Sequence, residues 1–85
     1  MSASDLALYH FDGCPYCGRV RDAIARLGIQ VELRDVHASD RHLDDLVGAT
    51  GRQMVPCLRI AGPGGEDRWM HESADIVRYL EQRFA

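Results

Sequence analysis

Apolar residues fall along the chain in two rhythms, and each rhythm marks an element. Leu6-Ala7-Leu8-Tyr9-His10 is a short, mostly apolar run that reads as a strand. Phe11-Asp12-Gly13 turns the chain. From Pro15 the rhythm is helical. Val20, Ala23, Ile24 and Leu27 recur at the spacing of one buried face, while Arg19, Arg21, Asp22 and Arg26 take the other. Gly28 is a natural helix stop. Alternation from Ile29 predicts a second strand over 31–35.

Asp40 is suited to cap a short helix over 41–47, with Leu43, Leu46 and Val47 apolar and Gly48 and Gly51 ending it. A third strand is predicted over 56–60, with Leu58 and Ile60 on one face. Gly62-Pro63-Gly64-Gly65 is the strongest turn signal in the chain. It leads to a fourth, edge strand over 67–71. Ser73 is placed to cap a last helix that carries Ile76, Val77, Leu80 and Phe84 inward. The order β-α-β-α-β-β-α predicts an α/β fold. Its first unit joins parallel strands by a right-handed crossover, and its hairpin adds antiparallel ones. The expected product is one mixed four-stranded sheet with helices on both faces.

At 85 residues the chain is expected to form a single domain over 1–85. A net charge of −3, with ten basic residues scattered, gives no basic patch for nucleic acid. No apolar run is long enough to span a bilayer. The opening Met1-Ser2-Ala3-Ser4-Asp5 lacks the features of a signal peptide, so a cytoplasmic location and no membrane partner are expected. In that reducing compartment a close cysteine pair points to catalysis or metal binding rather than to a structural crosslink.

Cys14-Pro15-Tyr16-Cys17 is such a pair. On the predicted strand–turn–helix junction Cys14 falls at the N-cap and Pro15 at the first helical position, where its missing N–H costs nothing. The backbone N–H of Cys17 can then point back at the Cys14 sulfur. That hydrogen bond and the positive end of the helix dipole favour a thiolate, which makes Cys14 the expected nucleophile. Cys17, one turn further in, suits the resolving thiol that attacks a mixed disulfide on Cys14. Structural zinc lacks a second ligand pair: Cys57 stands alone, and His10, His37, His42 and His71 are dispersed. Cys57 itself reads as a small buried hydrophobe, and Trp69 and Tyr79 as packing residues. His10 and His71 fall at strand ends.

The tetrapeptide Cys14-Pro15-Tyr16-Cys17, then Val55-Pro56, then Glu72-Ser73 opening the final helix, resembles the glutaredoxins and the related N-terminal domain of glutathione transferases. The match runs from Leu6 to Phe84. The resemblance implies a thioredoxin-like fold, a cis Pro56, and glutathione as cosubstrate with no tightly bound cofactor. By that likeness Cys14 forms the glutathione mixed disulfide and Tyr16 flanks it. Val55 offers backbone groups to the cysteinyl part. Glu72 and Ser73 hold the γ-glutamyl end, and Asp75 receives the ammonium. Arg52 is the candidate for the glycine carboxylate. Plain alternatives stand beside these: Ser73 as a helix cap, Glu72 as a solvated charge, Arg52 as a surface loop residue.

Two features depart from the family pattern. His10-Phe11-Asp12-Gly13 has no Lys before the first cysteine, where many glutaredoxins carry one. Met70-His71-Glu72-Ser73 stands where many have a Gly-Gly turn, and is closer to the transferases. The chain ends at Ala85 without a second helical domain, so transferase chemistry on electrophiles is not expected. The reading is a monomeric dithiol reductase acting on disulfide-containing or glutathionylated proteins. Its rivals are an iron–sulfur carrier ligated by Cys14 and glutathione, and a thioredoxin-type reductase recycled by a flavoprotein.

Overall fold

The computed structural model describes residues 2–85. Its elements run β1 (Ser2–His10), α1 (Pro15–Leu27), β2 (Gln30–Asp35), α2 (Asp40–Thr50), β3 (Cys57–Ile60), β4 (Arg68–Met70) and α3 (Ser73–Phe84). The four strands form one sheet in the order β2-β1-β3-β4. β1 pairs with β2 in parallel, and antiparallel with β3, which in turn pairs antiparallel with β4. The fold class and element order expected from the sequence are those observed.

Alternation along β1 decides what each face of the sheet meets. Leu6 and Leu8 join Leu58 and Ile60 on one face, packed by Val20 and Ile24 of α1 and by Ile76 and Leu80 of α3. Ala7 and Tyr9 join Cys57 on the other, packed by Leu46 of α2 and by Val36. Both faces are therefore dry, and β1 is buried from Leu6 to His10. Fully burying side chains of this size is worth about 1.5–3 kcal/mol each. The buried Tyr9 keeps its hydroxyl satisfied by accepting a hydrogen bond from Arg34 at 2.6 Å, and its ring lies 5.2 Å from that of Trp69. Arg34 also pairs with Glu32.

Several boundaries differ from the sequence reading, each for a physical reason. β1 begins at Ser2 rather than Leu6, although Ser4 and Asp5 interrupt the apolar run. The Asp5 carboxylate is engaged at both oxygens by Arg83 of α3, each at 2.8 Å. α2 passes through Gly48 and ends at Gly51, which takes the left-handed conformation (φ 73°). A Cβ at Gly48 would meet open space, so the glycine answers to no close approach there. The N-cap residue of α2 is Ser39, not Asp40. Ser73 does not cap α3 but is its first helical residue; Glu72 stands at the N-cap position and makes no side-chain cap bond.

The turn between β3 and β4 is a 3-10 segment over Pro63–Gly65. Gly62 is fixed there by close approach: a Cβ would stand 2.2 Å from the carbonyl oxygen of Glu66. Because the obstacle is backbone, the turn itself must shift to admit a side chain. Gly62→Ala is expected to lower stability by about 1–3 kcal/mol, the usual cost of forcing a methyl into filled space. Equilibrium urea unfolding checks this; an unchanged midpoint and slope would mean that the turn relaxes freely.

Candidate active site

β1 delivers the chain to a tight turn, in which the N–H of Cys14 donates to the Phe11 carbonyl at 3.2 Å. α1 starts immediately after. Cys14 occupies the N-cap with extended backbone (φ −84°, ψ 116°), and Pro15 follows in the first turn. The N–H of Cys17 donates to the Cys14 sulfur at 3.4 Å, as the spacing predicted. No acidic residue lies in the first turn of α1, so no nearby carboxylate of that turn opposes negative charge on the sulfur.

The two thiols have different surroundings. Cys17 is fully buried and Cys14 retains 7% exposure. Burial pushes the Cys17 thiol up to about 12, helped by a hydrogen bond with Cys14 that favours the protonated form. The backbone of Phe11 and the charge of Arg21 act the other way. Cys57 is also pushed up to about 12, by burial alone. All three cysteines are free thiols. Among the described residues no group of three or more His, Cys, Asp or Glu side chains could hold a metal ion.

Tyr16, which stands between the two cysteines, opens onto a groove of about 470 Å³ that neither Cys14 nor Cys17 itself lines. Of the residues expected to bind glutathione, Tyr16, Val55, Pro56, Glu72 and Ser73 line it. The Val55–Pro56 peptide bond is cis. Among the described residues neither the N–H nor the carbonyl of Val55 bonds within the chain, so both are free for a ligand. Glu72 is the one non-glycine among them with positive φ (71°). A residue of this kind in such a conformation costs on the order of 1–3 kcal/mol and persists where surroundings impose it. Here the Glu72 carbonyl is held by the N–H of Ile76 at 3.0 Å.

Arg52 and Asp75 are placed elsewhere. Neither lines the groove. Arg52 is exposed in the loop after α2, its N–H bonded to the Thr50 hydroxyl at 3.2 Å. Asp75 faces Arg78 at 3.6 Å on the exposed side of α3. Arg19, Met54 and Ala74 line the groove instead. The Arg19 guanidinium lies 5.8 Å from the centroid of the Tyr16 ring. The i, i+3 spacing of Tyr16 and Arg19 was the available signal for that neighbour. Met54 is half exposed at 42%, and its position just before Val55-Pro56 was its only mark. Of the two strand-end histidines, His10 is buried and bonded to Arg21, while the Nε2 of His71 is enclosed without a partner.

A four-stranded mixed sheet with a Cys-x-x-Cys pair at the start of its first helix is a thioredoxin-like fold carrying a thiol site. A family model described as glutathione S-transferase, N-terminal domain, matches residues 8–85, and the chain belongs to that family. Glutaredoxin 2 of Escherichia coli K12 is 32% identical over 77 residues, covering 91% of this chain and 33% of that protein. The chain thus spans about a third of the length of the curated relatives it matches. Among solved structures, the trimeric glutathione transferase TDR1 of Leishmania superposes with a TM-score of 0.76 at 26% identity, over 94% of this chain and 18% of that one. A glutathione transferase homologue from Drosophila mojavensis with bound glutathione gives a TM-score of 0.75 at 20% identity, over 94% of this chain and 35% of that one. This last likeness is one of fold.

The buried thiols have a consequence for alkaline stability. In the folded chain Cys17 and Cys57 keep their protons to about 12, whereas an ordinary thiol loses its proton near 9. Folding therefore retains protons in that interval, and their stabilising contribution is complete below about 9 and is lost as pH rises toward 12. Urea midpoints measured at pH 8 and pH 10.5 are expected to fall, and Cys57→Val, which removes one of the two thiols, to flatten the decline. An equal decline in the variant would refute the assignment to Cys57.

Proposed function

We propose that this chain is a glutathione-dependent thiol–disulfide oxidoreductase, a monomer of the cytoplasm that works through Cys14 and Cys17. The observation that carries the reading is the seat of the Cys14 sulfur. It accepts the Cys17 N–H at the amino end of a 13-residue helix, beside a groove with unpaired main-chain groups at Val55. A thiolate is the nucleophile in disulfide exchange, and helix amino ends carry N–H groups and a dipole that accommodate negative charge. The named glutaredoxin among the relatives and the transferase homologue with bound glutathione support glutathione as the cosubstrate.

In this reading the Cys14 thiolate attacks the disulfide of a glutathionylated or disulfide-bonded protein. The resulting Cys14–glutathione disulfide is cleared by a second glutathione or by Cys17. Val55 pairs through its backbone with the cysteinyl residue of glutathione, in the manner of an added strand. Glu72, Ser73 and the start of the 12-residue helix α3 receive the γ-glutamyl carboxylate, where free N–H groups and the helix dipole favour an anion. Tyr16 flanks the mixed disulfide. For the glycine carboxylate Arg19 is better placed than Arg52, because it lines the groove. Asp75 is left to its exposed pairing with Arg78.

Glutathione-coupled reduction of a small mixed disulfide is expected in the intact chain and should be lost in Cys14→Ser, with a drop of at least about a thousandfold, as for removal of a covalent nucleophile. Cys17→Ser should keep deglutathionylation and lose reduction of protein disulfides. Full activity in Cys14→Ser would exclude this mechanism.

A further inference from the structure

Arg21 lies one turn beyond Cys17 on α1, and its side chain runs back toward the start of the helix. Its Nη1 lies 2.9 Å from Nδ1 of His10 and donates to the Phe11 carbonyl at 3.5 Å. Its Nη2 donates to the Asp12 carbonyl at 3.4 Å. A Cβ on Gly18 would stand 3.5 Å from that Nη2, so the guanidinium lies against the backbone directly after Cys17. One planar fork thus ties the end of β1 and the turn of residues 10–12 to the first turns of α1. Arginine suits the task because it holds several donors in fixed directions and accepts none.

The same turn touches both sulfurs' residues. The Phe11 carbonyl receives the Cys14 N–H as well as Arg21. The Phe11 backbone and the Arg21 charge are the two groups that favour ionisation of Cys17, against burial and the neighbouring Cys14. Around His10 stand Arg21 from α1, Asp35 from β2 and Asp12 from the turn. Burial, and then the Arg21 charge, hold His10 below the usual imidazole range. Because arginine only donates, the His10 proton sits on Nε2.

We propose that Arg21 is a positioning residue for the resolving step, holding the 10–12 turn in place and setting its charge where Cys17 must become a thiolate. The inference rests on the dithiol reading above. In the step concerned, Cys17 gives its proton to water and its sulfur attacks the Cys14 sulfur of the Cys14–glutathione disulfide. The Cys14–Cys17 bond forms, the Cys14–glutathione bond breaks, and the electron pair leaves with the glutathione thiolate. No external oxidant or reductant enters.

The test mixes the reduced chain with glutathione disulfide from pH 6 to 10, quenches with acid at intervals, and counts glutathionylated and internally bridged species by mass spectrometry. Arg21→Met is expected to slow bridging several-fold near pH 8, relative to the first glutathionylation in the same sample. Its bridging profile should move to higher pH, because both the turn that Arg21 holds and its charge act toward ionising Cys17. Arg21→Lys, which keeps the charge and loses the fork, should recover part of the shift. Bridging in Arg21→Met at the rate and pH profile of the unaltered chain would overturn the inference and leave the dithiol reading intact. Absence of bridging in the unaltered chain would sink both. Should Arg21→Met not fold, Gly18→Val crowds the guanidinium while keeping it; slowed bridging supports the inference, and an unchanged rate overturns it.

Discussion

β1 is hydrogen-bonded along both edges and covered on both faces, and its pairing sets where everything else ends. Its last residues lie opposite the start of β3: Tyr9 pairs with Cys57. β4 runs back so that Met70 lies opposite Leu58. The register therefore brings three chain segments to one end of the sheet. These are the turn after His10, the Val55-Pro56 approach to β3, and the Glu72-Ser73 exit from β4. Residues more than fifty positions apart become neighbours because a strand can slip only by exposing its buried face. The groove is a by-product of that registration.

Within the site, two chemically identical side chains are separated by their surroundings. Cys14 stands at a helix start, where an N–H is aimed at its sulfur. Cys17 lies one turn further in, where burial outweighs the two groups that would ionise it. Placement relative to a single helix terminus is enough to give the two sulfurs different surroundings, one at the helix start and the other enclosed. Proline at the first helical position supports this by starting the helix cleanly without removing a needed hydrogen bond.

Much of this was legible in the sequence because it is local. The helix α1 announces itself by apolar period, by Pro15 and by Gly28, and the Cys14–Cys17 contact follows from their spacing alone. What was not legible depends on distant partners. Ser4 and Asp5 look unlike strand residues until Arg83, 78 positions away, is seen to hold the carboxylate. Gly48 looks like a helix stop, yet the helix continues and the Thr50 hydroxyl bonds back to the Leu46 carbonyl at 2.8 Å. Arg52 was a reasonable choice for a carboxylate by charge, but charge carries no direction, and Arg19 is the arginine that reaches the groove. Ser73 has the composition of a cap, whereas the positive φ of Glu72 shifts the helix start by one residue.

Cys57 sits on the face of the sheet covered by α2, while α1 packs on the opposite face. An odd number of cysteines is ordinarily a hazard, since a leftover sulfur can capture the wrong mate or weld two chains together. Here the sheet itself is a partition between the surplus sulfur and the pair. Chemistry at the start of α1 is thereby kept apart from a sulfur that is fully enclosed on the far side of the sheet.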